Sequence, residues 1–583
     1  MGTFVFVKEL SQKTIMITKS HKIKIILIGC FVILCYILLI LRLFYLQIHK
    51  HVFFSSKAQT QHVISKSLAP RRGKIFDRNM RDLAISVPVP SLYGVPEDIS
   101  HPKKVATRLS SILGISKIYL FKRLSRKGKF IWLKRKITPE EQKVIRAENL
   151  PGIEFIEEIK RFYPGNTLLC HILGFVNIDN IGLAGIEYKF NDILSGVSGQ
   201  LLTERDAAGR EIVLLRKKDL APKDGYHIVL TIDATIQEIV ETELKKTIEE
   251  FQAVSGSIIV MDPHTGELLA LANFPYFDPN NPGKYHESLR RNRAITDIFE
   301  PGSTFKPFIL SIGIQEKIIE LTDRFFCENG LFRIGSHILH DVHPYKLLTA
   351  QEIIQHSSNI GIAKIALKIG KKNVYLYLSK LGFGTRTTIE LPGEVKGILH
   401  PLKRWSRYSI FSVPMGHEIS VTAIQLVRAF CALANGGKLM KPLLIHKIID
   451  SGNTVIFEAT PEITSNLFSK DTSAAITDTL KSVTEPEGTG RKATVPGYAV
   501  AGKTGTAQKL EPDGTYSHSK YISSFIGYLP CNNPQAIIGV FINEPQKFHY
   551  GGTVAAPAFS KIASQLMRYL EIPQKLNKTT NKQ

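Results

Sequence analysis

The chain has 583 residues, too many for one ordinary domain, and length alone points to three or four units. Hydrophobic residues make up 44% and charged residues 22%, so most of the chain folds around packed cores and a largely disordered protein is excluded. The net charge of +24, with a pI ≈ 9.6, suits nucleic acid or a protein working beside anionic lipid or cell-wall polymer; with no Arg-rich reading helix, zinc-ligand spacing or RNP-like aromatic string, nucleic acid is set aside.

Ile25 to Leu41 is an uncharged run of 17 residues. A helix of this length nearly crosses the hydrocarbon core of a bilayer, and its flanks complete the span. Lys8, Lys13, Lys19, Lys22 and Lys24 precede the run and Arg42 is the nearest cation after it. The positive-inside rule then puts the N-terminus in the cytoplasm and the remainder outside. A cleaved signal peptide would have a shorter apolar core and a small-residue cleavage site. The bulky RLFYLQIHKHVFF that follows favours a retained anchor. The cysteines, Cys30, Cys35, Cys170, Cys327, Cys431 and Cys531, form no C-x-x-C and no dense framework. They read as buried or incidental thiols rather than metal ligands, with a single bridge left open.

Residues from about 42 to 224 mix short β-like runs with basic helical stretches. Pro70 to Gly73 is a turn, and Lys74 to Asn79 reads as a strand running into another turn. Thr138-Pro139-Glu140-Glu141 reads as a helix start, with Thr138 as N-cap and proline at the first helical position. Gly182, Gly185, Gly196 and Gly199 punctuate a loop-rich segment. No catalytic constellation stands here, and the segment reads as a spacer or docking module.

A new unit starts near Gly225. His227 to Ile232 reads as a strand, and Asp233 fits an N-cap for a helix from Ala234 to Phe251. Ser257 to Met261 and Glu267 to Ala272 read as a hairpin around the turn Asp262 to Gly266. Helical patterns dominate from about 303 to 440. Strands return at Tyr498–Ala501, Phe525–Tyr528 and Ala536–Ile542, and a last helix runs from about Ala556 to Leu570. The expected class is α+β, with the middle helices packed on an antiparallel sheet. The tail after Pro573 is polar and Lys-rich and reads as disordered.

Three short strings in this unit carry chemistry: Ser303-Thr304-Phe305-Lys306, Ser357-Ser358-Asn359 and Lys503-Thr504-Gly505. Each alone is weak, because Ser100 to Lys103 and Ser517 to Lys520 also match S-x-x-K and Ser451 to Asn453 matches S-x-N, all in polar, turn-like sequence. Ser303 differs by standing at the first turn of a strongly apolar helix, with Lys306 one turn later on the same face. Unpaired N–H groups at that helix end favour an anion at the serine oxygen. A buried Lys306 beside a second cation, Lys503, loses proton affinity and can act as a base. Ser357 could pass a proton between base and leaving amine, and Asn359 could hold a substrate peptide group. Read blandly, Ser357 to Asn359 is an N-cap loop and Lys306 a solvated helix lysine; the apolar flanks of Lys306 argue against the second. Lys503 and Thr504 would bind a carboxylate. Gly505, lacking Cβ, would let a substrate backbone pair with the strand edge. The N–H groups of Ser303 and Thr506 would form an oxyanion hole. Because 54 residues separate Ser303 from Ser357 and 146 separate Ser357 from Lys503, the three strings must converge in space.

On these strings, and on Arg72 to Asn79, Phe130 to Leu133, His171 to Gly174, Gly185 to Glu187, Arg205 to Arg210, Asn292 to Asp297 and Ala501 to Ala507, the chain resembles a class B penicillin-binding protein, a monofunctional peptidoglycan transpeptidase. The resemblance implies a penicilloyl-serine transferase fold of the β-lactamase and transpeptidase kind. It also implies five segments: a cytoplasmic tail (1–24), a transmembrane anchor (25–41), an elongated pedestal or dimerisation-type domain (42–224), a transpeptidase domain (225–573) and a disordered tail (574–583). The catalytic domain would lie on the periplasmic side of the plasma membrane. The implied substrate is the D-Ala-D-Ala end of a stem peptide on nascent glycan. Ser303 would attack, release D-alanine and pass the acyl group to an amine of a neighbouring stem, and β-lactams would acylate the same serine. Lys306, Ser357, Asn359, Lys503, Thr504 and Thr506 would take the roles given above, with no cofactor and no metal. Glu300-Pro301-Gly302 is similar to the division-type, FtsI-like branch, which implies septal synthesis with a SEDS-type glycosyltransferase and divisome membrane proteins as partners. Two positions depart from the family pattern. Met80 replaces a usual glycine, and Ser412 to His417 differs from a commoner string rich in phenylalanine and glycine. Competing readings are an elongation-type transpeptidase, a β-lactam sensor or idle wall scaffold, and a β-lactamase. A sensor needs more membrane spans. A β-lactamase needs a base for the deacylating water, and no such residue stands out.

Overall fold

The computed structural model describes residues 19–205, 211–212, 218–511 and 513–574. Lys8, Lys13, most of Arg205 to Arg210 and the tail expected to be disordered lie outside the described residues. The chain divides into two compact units, one of residues 1–69 and 198–222 and the other of 70–197 and 223–583.

The first unit opens with the helix Lys19–Phe44, which continues as a wider turn over Tyr45–His49. None of its side chains is buried, although the run is apolar from end to end. A helix of 31 residues is longer than a bilayer core is thick, so it is consistent with a single-pass membrane anchor. Among the described residues nothing buries its apolar surface. In the same unit the strand Val63–Leu68 pairs antiparallel with Gly199–Arg205, which also pairs with Glu211–Ile212 and Lys218–Leu220.

In the second unit a seven-stranded sheet runs in the order Val455–Glu458, Ile445–Ile449, His227–Leu230, Ile75–Phe76, Asp82–Gly94 and Ile131–Lys134, with Ile153–Phe162 also paired to Asp82–Gly94. The contact between Ile75–Phe76 and His227–Leu230 is parallel, so this sheet takes strands from both sides of residue 225. Beneath it Arg72 and Arg161 both donate to Glu187, at 2.5 and 2.6 Å, and Arg161 also reaches the Gly73 carbonyl at 2.7 Å. All three side chains are buried. This contact explains why arginine at 72 and Gly185-Ile186-Glu187 recur together in the resemblance: two guanidinium groups share one carboxylate. Thr138 caps its helix through a reciprocal box with Glu141, as its sequence predicts. Met80 has φ 64°, the left-handed backbone that makes glycine the usual residue there.

The second sheet has five antiparallel strands in the order Leu268–Phe274, Ser255–Met261, Ala536–Asn543, Tyr516–Leu529 and Ala501–Leu510. Alternate residues feed two cores. Ile258, Val260, Ile538 and Val540 meet the helices Ala234–Phe251 and Gly551–Tyr569. Ile259, Met261, Ile526 and Ile537 meet the helices Lys306–Gln315, Asn359–Ile369 and Ala423–Ala434. This is the α+β arrangement expected, with helices on both faces. Ala234–Phe251 begins where Asp233 caps it, accepting from Thr235 and Ile236. Three elements start three or more residues from where the sequence places them. The edge strand starts at Ala501 rather than Tyr498, because Val495 and Tyr498 close a local bridge first. Its partner extends back to Tyr516, where a polar stretch is carried by cross-strand pairing with Leu510. The last helix starts at Gly551 rather than Ala556: a Cβ at Gly551 would lie 2.3 Å from the carbonyl oxygens of Gly505 and Ser524, so glycine there serves close packing.

Candidate active site

Ser303 stands in a single 3-10 turn, Gly302–Phe305, that runs into the buried helix Lys306–Gln315. The turn lies against the edge strand. The site of a Cβ on Gly302 is 3.4 Å from the Thr506 carbonyl oxygen, and that of a Cβ on Gly505 is 2.8 Å from Thr304 Cγ2 and 2.5 Å from Ser524 Oγ. Gly505 therefore serves the approach of this turn to the strand. That is a second reason for glycine beside the room for substrate backbone inferred from sequence. Gly505 and Ser524 are paired partners, and their carbonyls lie together under Gly551. Alternation along the strand then turns the main-chain groups of Thr504 and Thr506 toward the free edge.

The two lysines meet over Ser357. Lys306 Nζ donates to the Ser357 carbonyl at 2.5 Å, to Asn359 Oδ1 at 2.7 Å and to Ser357 Oγ at 3.3 Å. Lys503 Nζ donates to Ser357 Oγ at 3.0 Å and to Thr504 Oγ1 at 3.4 Å, and Thr504 Oγ1 is 2.9 Å from Thr489 Oγ1. Thr506 Oγ1 accepts from the Gly551 N–H at 3.0 Å. Both lysine side chains are fully buried. Burial lowers Lys306 to about 7, opposed by the carboxylate of Asp341. Burial pushes Lys503 well down, and the charge of Lys306 pushes it further. The hydroxyl of Ser303 is half-buried and makes no hydrogen bond among the described residues. Lys306, Ser357, Asn359 and Lys503 thus meet in space, with Ser303 on the turn that leads into Lys306, and no hydrogen bond joins Ser303 to Lys306 among the described residues.

Ser357 itself has φ 62°, a left-handed conformation that costs a serine free energy and persists because its surroundings hold it. Much of that hold comes from Asp341, which sequence reading missed. Its carboxylate accepts from Ser358 Oγ at 2.6 Å, from the Ile360 N–H at 3.1 Å and from the Asn359 N–H. Ser358 in turn caps the helix Asn359–Ile369. A second missed group joins three distant segments beside the nucleophile turn. Glu300 Oε2 lies 2.7 Å from His417 Nδ1 and accepts from the Tyr516 hydroxyl at 2.9 Å, and Glu300 Oε1 accepts from the Glu418 N–H at 3.0 Å. Gly416, with φ 83°, packs on Gly302 so closely that a Cβ would sit 2.3 Å from its carbonyl oxygen. The departure at Ser412 to His417 therefore shapes the backbone immediately before Ser303. No cluster of three or more metal-ligating side chains occurs among the described residues.

Residues 256–564 match the penicillin binding protein transpeptidase domain, and residues 67–230 match the penicillin-binding protein dimerisation domain. The chain is a class B penicillin-binding protein. It is 35% identical to the probable peptidoglycan D,D-transpeptidase PenA of Neisseria gonorrhoeae over 95% of this chain and 94% of that one. It is 32% identical to the peptidoglycan D,D-transpeptidase FtsI of Escherichia coli, over 94% and 92%. Among solved structures it is similar to a peptidoglycan synthetase from Bifidobacterium adolescentis, with a TM-score of 0.71 and 27% identity, covering 89% of this chain and 98% of that one. As a member of this family it is a serine-type transpeptidase acting on peptidoglycan.

Proposed function

We propose that this penicillin-binding protein cross-links stem peptides in septal wall synthesis, with residues 225–573 as its catalytic domain and Ser303 as the acylated residue. The observation that carries the site assignment is the buried pair Lys306 and Lys503 converging on Ser357 beside the turn that bears Ser303. With Lys306 near 7, a neutral amine is available at physiological pH to take the Ser303 proton as Oγ attacks the penultimate D-alanine carbonyl. The N–H groups of Ser303 and Thr506 stabilise the oxyanion. The C–N bond breaks, Ser357 relays a proton from Lys306 to the leaving amine, and D-alanine departs. An amine of a second stem then attacks the ester, gives up a proton by the same path and restores the serine. Lys503 and Thr504 hold the terminal carboxylate, and Asn359 holds a substrate amide. A β-lactam presents a like carboxylate and carbonyl and is expected to form the same ester.

The membrane orientation follows from the lysines before the apolar helix, with the N-terminus in the cytoplasm and the pedestal and catalytic residues outside. The septal role rests on Glu300-Pro301-Gly302 and on likeness to the FtsI relative, and it carries a SEDS-type polymerase and divisome proteins with it as partners. Two experiments test the reading. Full-length protein in detergent should form a stable ester with labelled penicillin that Ser303→Ala abolishes; labelling that survives the substitution moves the nucleophile elsewhere. Depletion in cells should give filaments, whereas spheres would assign the enzyme to elongation.

A further inference from the structure

Between Ile99 and Thr138 the sequence carries twelve lysines and arginines and no aspartate or glutamate, half of the net charge of +24 in 40 residues. Glu97 and Asp98 precede this stretch, and Glu140 and Glu141 follow it. It folds as the helices Pro102–Leu113 and Lys117–Leu124 and the strand Ile131–Lys134, packed together through Val105, Leu109, Leu120, Leu124 and Leu133. Part of the charge is neutralised within the protein. Lys134 pairs with Glu141, Arg135 with Glu158 and Asp179, and Arg108 with Glu148. Lys103, Lys104, Lys117, Lys122, Lys127 and Lys129 are exposed and make no ion pair among the described residues. Like charges held this close repel one another, and an anionic partner relieves that repulsion.

Aromatic rings stand among the cations. Phe130 stacks on Tyr93 at 4.7 Å and meets Trp132 edge-on at 5.0 Å. The Arg123 guanidinium lies 4.9 Å over Tyr119. Phe121, Lys103, Lys104 and Lys117 line an open groove of about 710 Å³. Tyr119, Phe121 and Phe130 are 43%, 41% and 50% exposed, so apolar ring surface remains open beside the contacts to Arg123 and Tyr93.

We infer that this face of the pedestal binds un-cross-linked glycan strands, its lysines pairing with stem-peptide carboxylates and its rings packing on sugar faces. The source of the ligand rests on the transpeptidase reading above, but the face shares no residue with the Ser303 site. Lysine suits a polymer whose carboxylates are irregularly spaced, because its charge sits on a flexible stem and needs no fixed fork geometry. A bilayer is the poorer occupant. Interfacial segments bury a continuous apolar helix face, whereas here Phe121 borders an open groove lined by Lys103, Lys104 and Lys117. Acidic protein motifs are typically read by arginine clusters, whose fork fixes a carboxylate in one geometry, whereas the six unpaired cations named here are lysines.

The test uses full-length protein in detergent carrying Ser303→Ala, so that the active site forms no ester, co-sedimented with purified insoluble sacculi. Binding is expected to weaken with salt, to fall at least about tenfold with K103E/K104E/K117E/K122E, and to fall likewise when the carboxylates of the sacculi are amidated. A milder K117Q/K122Q variant, expected to lose part of the binding, guards against misfolding. Melting temperature and penicillin acylation of the same variants with Ser303 intact should match the parent. Equal binding by the charge-reversed variant, or undiminished binding to amidated sacculi, overturns the inference. So does binding to anionic phospholipid vesicles that soluble glycan fragments do not displace. Failure of the parent to react with penicillin would instead count against the transpeptidase reading and leave the sedimentation result standing.

Discussion

Lys306 has three neutral acceptors, the Ser357 carbonyl and hydroxyl oxygens and the Asn359 amide oxygen, and no carboxylate in direct contact. Its nearest acidic influence, Asp341, is spent on Ser358, Asn359 and Ile360. Burial therefore wins, and the amine titrates at about 7. The rate of penicillin acylation should rise about tenfold per pH unit below that value and level off above it. Lys306→Met should cost about 10²- to 10⁴-fold at pH 7.5. A flat profile between pH 5 and 9 would remove Lys306 as the base. Around Ser303 the group formed by Glu300, His417 and Tyr516 ties the loop before Glu418 and the hairpin after Leu510 to the nucleophile turn. Tyr516→Phe removes one hydroxyl and no packing volume, and it should slow acylation several-fold with little change in melting temperature, since small displacements of reacting groups are costly. An unchanged rate in both Tyr516→Phe and His417→Ala would show that these contacts are structural only.

Elements governed by local chemistry were legible, and elements governed by distant contacts were not. Asp233 and Thr138 announce their helices because a cap is a contact between neighbours in sequence. The three strings proposed for the site stood out because each combines a special residue with an apolar helix or strand. Asp341 gives no such signal: it ends a short hairpin, Leu331–Ile334 with His337–His340, and reaches Asn359 only through the fold. Glu300, His417 and Tyr516 are likewise up to 216 residues apart. The last helix starts earlier than the expected Ala556, because glycine is a poor helix former by itself and only the strands beneath show that Gly551 serves close packing. Arg72 and Glu187 stand in two separate motifs of the sequence, while Arg161, which shares the same carboxylate, stands in none. Glu187→Ala strands two buried guanidinium groups and should destabilise the pedestal by about 3–5 kcal/mol, read as an earlier urea transition. A change below about 1 kcal/mol would mean that solvent reaches this network.

Across the whole molecule the two buried lysines proposed for catalysis work against folding. In the unfolded chain Lys306 holds its proton up to the ordinary lysine value of 10.5, whereas in the folded protein it gives the proton up at about 7. The unfolded state therefore binds more protons between those values, and stability contributed through this residue rises with pH there, by up to about 1.4 kcal/mol per unit. Below about 7 both states are protonated and the dependence ends. Lys306→Met should raise the melting temperature at pH 7 and flatten its rise toward pH 10 relative to the parent, while acylation is lost. A lower melting temperature for that variant at pH 7 would contradict the sign. Activity and stability are thus opposed at one side chain, as expected where a site is selected for chemistry.

The sheet that joins Ile75–Phe76 to His227–Leu230 also has a mechanical meaning. Neighbouring strands drawn along their length share a load across several hydrogen bonds at once instead of opening them one by one. Tension applied to the pedestal portion of this unit would then reach the catalytic portion as a tilt, with no slack joint between to absorb it. An enzyme stitching a wall under turgor would carry its cleft on a stiff lever rather than on a tether.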